Sequence, residues 1–215
     1  MGFTSIKQWP EAEDAGQSWI TGFRKAASSV ATTTHAWTDY SYYSGSPPAN
    51  FYASTPLESA FVDAARGFYV PTVAPATQHL RNLKLMSAAS SATSTTNARQ
   101  QLVLADLLMY YPFIDTDAVG EQQDMVQTVS LPRYGGGQVV AVAQSAASAN
   151  GQFTFTYTND QGVAGRVSQN HFTLITTGGG QVVATSVGSA ASFHPFCHLQ
   201  AGDSGVRSVE SVTIG

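Results

Sequence analysis

The chain has 215 residues, 43% of them hydrophobic, which is enough to bury a core within one domain of ordinary size. Charged residues make up only 11%, with a formal net charge of −4, against roughly 25% in a typical soluble domain; with no basic run, nucleic acid is not an expected partner. The single cysteine, Cys197, excludes an internal disulfide, and no apolar run approaches the roughly 18 residues that would suggest a membrane-spanning helix.

Residues 1–50 read as an extended, irregular N-terminal arm. The start shows no apolar stretch of the secretory kind. Met1-Gly2-Phe3-Thr4-Ser5 fits the N-myristoylation pattern in form, but nothing else here points to a membrane. Trp9-Pro10 is expected to break structure, and 17–25 to form a short helix. Trp9, Trp19, Phe23 and Trp37 are too many aromatics for a disordered tail; such an arm packs on its own sheet or on a neighbouring subunit. Tyr40, Tyr42 and Tyr43 lead into the turn-forming Ser44-Gly45-Ser46-Pro47-Pro48.

Residues 51–215 read as a β-sandwich-like domain. It opens on a capped helix over 55–66, where Thr55 is the cap, Pro56 the first helical residue and Glu58 the capping-box partner. The Ser/Ala/Thr run at 87–96 predicts an exposed loop. Residues 99–114 are the most hydrophobic stretch: Leu102, Ala105, Leu108 and Met109 would share a helical face, Leu102, Leu104 and Asp106 a strand face, and of the two a buried strand running into a turn is the preferred expectation, with Pro112 ending either element. Asp115, Asp117, Glu121 and Asp124 follow as an acidic loop. Carboxylates in alternation can hold a hard cation, but the spacing fits no known loop of that kind, and a solvated loop is favoured.

Strand signals then recur at 125–131, 138–143, 152–158, 162–167, 171–176, 181–187 and 206–214, separated by turn residues. The strongest is 152–168. Phe153, Phe155 and Tyr157 alternate with Thr154, Thr156 and Thr158, so one face is aromatic and the other carries hydroxyls. Asn159-Asp160-Gln161-Gly162 then turns the chain into a returning strand. The heptapeptide Gly-Gly-Gly-Gln-Val-Val-Ala occurs twice, at 135–141 and 178–184, and is expected to mark two equivalent strands, each entered by a glycine loop. The pattern predicts a mainly β, antiparallel sandwich or jelly-roll-like body, with the arm and one or two short helices added to it.

Two sets of residues invite a chemical reading. Gly202-Asp203-Ser204-Gly205 resembles the nucleophile segment of chymotrypsin-like serine proteases, with His35 as base and Asp39 or Asp115 as the orienting carboxylate. The sequence around His35 departs from that family, Val206 replaces its second glycine, and the same tetrapeptide is a good β-turn. His194, Cys197 and His198 are three zinc-type ligands within five residues, without the second, separated pair that a structural site wants; a loop with Phe193 and Phe196 packed inward is the plainer expectation. No catalytic residue, metal or cofactor is therefore assigned.

Several segments taken together resemble a family of tailed-bacteriophage virion proteins. They are Met1-Gly2-Phe3-Thr4-Ser5, Leu104-Ala105-Asp106-Leu107-Leu108-Met109-Tyr110-Tyr111-Pro112, Leu131-Pro132-Arg133-Tyr134, Phe153-Thr154-Phe155-Thr156-Tyr157-Thr158-Asn159 with Gly162-Val163-Ala164-Gly165-Arg166, and 199–209. The resemblance implies a β-rich structural component of the particle, in which Gly202–Gly205 is a turn before the last strand. The expectation is a non-enzymatic capsid decoration or cement protein on the virion surface, made in the cytoplasm of the host bacterium. Its partners would be the major capsid protein and copies of itself, with no membrane involved. A virion-surface carbohydrate-binding module using Tyr40, Tyr42 and Tyr43 is the alternative, and a serine protease using Ser204 a more remote one.

Overall fold

The computed structural model describes residues 5–16, 20–25, 37–49, 52, 54–62, 83–84, 103–132, 134–145, 151–172, 179–182 and 194–215. The chain divides into two compact units, one of Met1–Thr21 with Val70–Asp106, the other of Gly22–Tyr69 with Leu107–Gly215. In the first unit the described regular element is helix α1 (Gln8–Asp14). Pro10, expected to break structure, lies in its first turn, where backbone N–H groups have no intrahelical acceptor and proline loses nothing.

The second unit is antiparallel β. Its short ladders pair β1 (Arg24–Lys25) with β3 (Gly45–Ser46), and β2 (Trp37–Thr38) with β8 (Gln181–Val182). Its main sheet has five strands: β4 (Gln122–Asp124), β5 (Gln152–Asn159), β6 (Arg166–Val167), β7 (His171–Phe172) and β9 (Val206–Ile214). The order is β4-β9-β5-β6, and β7 pairs with the other end of β5. The fold is mainly β, as expected.

β5 forms for the reason its sequence gives. Phe153, Phe155, Tyr157 and Asn159 alternate inward, and Tyr157 is completely buried. β9 obeys no such period: its inward residues are Val206, Val209 and Val212, three apart. The register explains this. Val206, Val209, Val212 and Ile214 stand opposite Asn159, Tyr157, Phe155 and Phe153, with shifts between Thr156 and Tyr157 and between Thr158 and Asn159. Each shift places an extra residue in β9, Glu210 and Arg207, as a β-bulge. Two bulges turn a spacing of three into one continuous apolar face. Met125, Cys197, Leu57, Tyr111, Ile114, Val139, Ala141 and Leu199 complete the core against it.

Several expectations are corrected. Residues 55–62 are not helical: Leu57 has φ +61, which a right-handed helix cannot contain. The amides of Leu57, Ser59 and Ala60 donate instead to the carbonyls of Pro112, Val126 and Tyr110. Residues 20–25 form no helix, because Arg24 and Lys25 are spent on β1. Residues 103–109 make no strand and are largely exposed; beyond them Tyr110 bridges Ala60 and Pro112 is buried. Strand 125–131 is displaced to 122–124, and 138–143 forms no strand: it is held by a bridge at Val142, beside another at Gly137, and by the Cys197 and Gly180 amides donating to the Val139 and Ala143 carbonyls (2.8 Å each). The 87–96 run, and the ends of the strands expected at 171–176 and 181–187, lie outside the described residues.

The glycine repeats are not equivalent either. Gly137 exchanges both backbone hydrogen bonds with Val206 (2.8 Å each), whereas the second copy supplies β8. A Cβ on Gly136 would lie 2.7 Å from the Cβ of Asp160, and one on Gly180 2.6 Å from the ring of Tyr42. The same motif thus lets two unrelated neighbours approach the backbone.

Candidate functional site

The densest polar constellation closes the β5–β6 hairpin, and its centre is Asp203. The turn at 200–203 is held by the Asp203 amide donating to the Gln200 carbonyl (3.1 Å), with Gly202 at φ +93. That turn aims the carboxylate back at the hairpin. Tyr157 Oη donates to Oδ2 (2.6 Å), Asn159 Nδ2 to Oδ1 (2.9 Å), and the Arg166 guanidinium grips both oxygens through Nε (2.9 Å) and Nη2 (3.2 Å). Tyr157 Oη in turn accepts from the Gln200 amide (2.9 Å), so the phenol is held from two sides. The Arg166 hydrogen bond, then those from Tyr157 and Asn159, hold the Asp203 carboxyl down at about 2. Burial, and then the bond to Asp203, push the Tyr157 phenol up to about 12. This is a fixed ion pair with its lone pairs satisfied.

Ser204 points elsewhere. It is exposed, and its Oγ donates to Asp160 Oδ2 (2.6 Å). Among the described residues no histidine is hydrogen-bonded to it. His35 lies outside the described residues. Asp39 is occupied by Ser41 N and Oγ (2.8 Å each) and Tyr52 Oη (2.7 Å), where it caps the 3₁₀ turn Tyr40–Tyr42. Asp115 receives the Asp117 amide (2.9 Å). Among the described residues, Ser204, Asp39 and Asp115 thus each hydrogen-bond to partners other than one another.

The acidic loop has a structural use. Gln123 Oε1 accepts from the Asp115 amide (2.8 Å) and its Nε2 donates to the Asp115 carbonyl (2.7 Å), which pins the start of the loop to the side chain of a β4 residue. On the opposite side Gln200 Oε1 accepts from the Val167 amide (3.3 Å). Among the described residues no three His, Cys, Asp or Glu side chains stand where they could share a metal ion.

The histidine-rich segment is likewise resolved by packing. Pro195 and Cys197 face inward, and Phe196, expected inside, is only half-buried; Phe193 lies outside the described residues. Burial pushes the Cys197 thiol up to about 12, which disfavours the thiolate form that ligates or attacks. His171 is completely buried against Phe153 and Phe155, with ring centroids 4.9 and 5.8 Å away, and stacks on His198 at 6.2 Å. The residue was foreseen only as the start of a strand; its alternation with Phe172 carries no sign of burial.

Of the tyrosines, Tyr42 lies on the Gly179–Gly180 backbone and donates to the Gln144 carbonyl (3.2 Å). Its ring and that of Tyr40 both contact Tyr43, and Tyr40 is the exposed one of the three. The loop beneath them is gathered by Lys25, whose ammonium donates to the carbonyls of Ser41, Tyr43, Pro47 and Pro48 at 2.8–3.3 Å. Nothing in the sequence pairs that lysine with that loop.

Unusual for their exposure are the large apolar side chains, among them Phe113 (51% exposed), Val119 (63%) and Val126 (55%). Comparison with protein-family models, with curated proteins and with solved structures returned no match.

Proposed function

We propose that this chain is a non-enzymatic structural component of a tailed-bacteriophage particle. In this reading it is a capsid decoration or cement protein, bound to the major capsid protein and to copies of itself on the virion surface. The observation that carries the reading is the combination of exposed apolar side chains such as Phe113, Val119 and Val126 with a charged fraction of 11%. Such a surface is weakly protected against association and suits a subunit covered by neighbours.

Two further features support it. The resembling segments 153–159, 162–166 and 199–209 meet in the Asp203 clasp, so they belong together as one folding unit. Of the polar residues that drew a catalytic reading, Ser204, Asp39 and Asp115 are engaged in hydrogen bonds within the chain. The irregular cover formed by Tyr111, Ile114, Val139, Ala141 and Leu199 over the aromatic face of the sheet is read as the second layer of a sandwich. Decoration proteins of this kind bind through many weak contacts repeated on a lattice, in closed symmetric oligomers.

The test is the copy number of the chain in gradient-purified particles, measured by quantitative mass spectrometry. A fixed stoichiometric ratio to the major capsid protein is expected; absence from the particles would sink the reading.

A further inference from the structure

The His171 ring sits where β7 and the 194–200 segment meet, and it acts as an acceptor there. The His198 amide donates to its Nε2 (2.7 Å), which places the hydrogen of the neutral ring on Nδ1. The segment is further tied to the sheet by the Gln169 amide donating to the His198 carbonyl (3.1 Å) and by Gln169 Nε2 donating to the Leu199 carbonyl (3.1 Å). Beyond His198 the ring of His194 follows at 6.0 Å. The same short segment inserts Cys197 into the core, with its amide on the Val139 carbonyl (2.8 Å).

We propose that His171 is an acid-operated latch: a proton on its ring releases residues 194–200 from the sheet and uncovers the Cys197 side of the core. The imidazolium has donors on both nitrogens, so Nε2–H would confront the His198 N–H instead of accepting from it. The charge would be created at a completely buried ring. The packed segments 151–157 and 194–200 contain no Asp, Glu, Lys or Arg; their titratable groups are Tyr157, His194, Cys197 and His198. Asp203, in the following turn, and Arg166, on β6, are committed to each other. Cation–π attraction to Phe153 and Phe155 works the other way, but it replaces neither the lost hydrogen bond nor the lost hydration. In keeping with this, burial foremost, then repulsion from His198, holds the ring down at about 4.

The sign follows. A depressed folded value means the neutral ring supports the closed segment fully above about 6.5, and that support is lost as pH falls towards 4. The clasp at Asp203 titrates lower, at about 2, so the latch opens while the hairpin holds.

Cys197 is the only thiol in the chain and reports the event. The full chain is reacted with 4,4′-dithiodipyridine from pH 7.5 to 4, each rate normalised to the urea-unfolded chain. Protection is expected to fall by roughly a hundredfold over this interval. His171→Gln keeps a neutral acceptor and is expected to leave protection flat. Unchanged protection in the native chain, or the same fall in the variant, would overturn the proposal. Should the variant fail to fold, hydrogen exchange on the native chain decides. The His198 amide is expected to lose protection across that range while the β5–β9 amides keep theirs; simultaneous loss would mean global acid unfolding and overturn the latch.

Discussion

Asp203 spends its carboxylate on three neighbours at once, and the cost of disturbing it falls on those left behind. Tyr157→Phe removes the donor to Oδ2 and the acceptor for the Gln200 amide inside a completely buried setting. It should destabilise the fold by about 1–3 kcal/mol, read as a lower urea midpoint with unchanged slope. Because Asp203 is held well below the ordinary carboxylate value, the clasp contributes stability above about pH 4 that disappears as pH falls through about 2. An acid titration of Asp203→Asn should lack that last step. The Ser204 hydroxyl is committed to Asp160, so a serine-directed fluorophosphonate should leave the chain unlabelled; labelling abolished by Ser204→Ala would instead revive the protease reading.

The elements show which sequence signals were legible. The hairpin strand 152–159 could be read because alternation of aromatics and threonines translates directly into two faces, and residues 206–214 because β-branched residues fill them. What could not be read was how β9 keeps its face, since Val206, Val209 and Val212 carry no period-two signal until Arg207 and Glu210 are bulged out by pairing with β5. The helix expected at 55–66 failed for a related reason. Its capping sequence is a local preference, overridden over 55–62 by amides that find carbonyls on distant segments. The glycine repeat was visible, but its purpose depends on Tyr42 and Asp160, more than a hundred and about twenty residues away from the respective glycines. Gly180→Ala should therefore cost about 1–3 kcal/mol through both φ +81 and the Tyr42 ring. Tyr42→Ser in the same chain should recover only the steric part, which a double-mutant cycle in urea would resolve.

For the whole molecule, the β class follows from strand signals spread over the second half, while the irregular cover does not, because 103–114 and 137–142 are fixed by isolated bridges and single hydrogen bonds to distant segments rather than by any periodic pattern. Nor could the candidate site be anticipated: of its four members, Tyr157 and Asn159 come from one strand, Arg166 from the short return strand and Asp203 from a distant turn. The sparse charge, by contrast, was plain from composition, and the exposed apolar side chains give it a physical meaning. The central claim is that these surfaces are covered on a phage shell. Cryo-electron microscopy of the intact particle, with the density of this chain located on it, tests that claim most directly. The account predicts density bridging capsid subunits with Phe113, Val119 and Val126 buried against them or against further copies of the chain; density confined to the tail, or none on the particle, would contradict it.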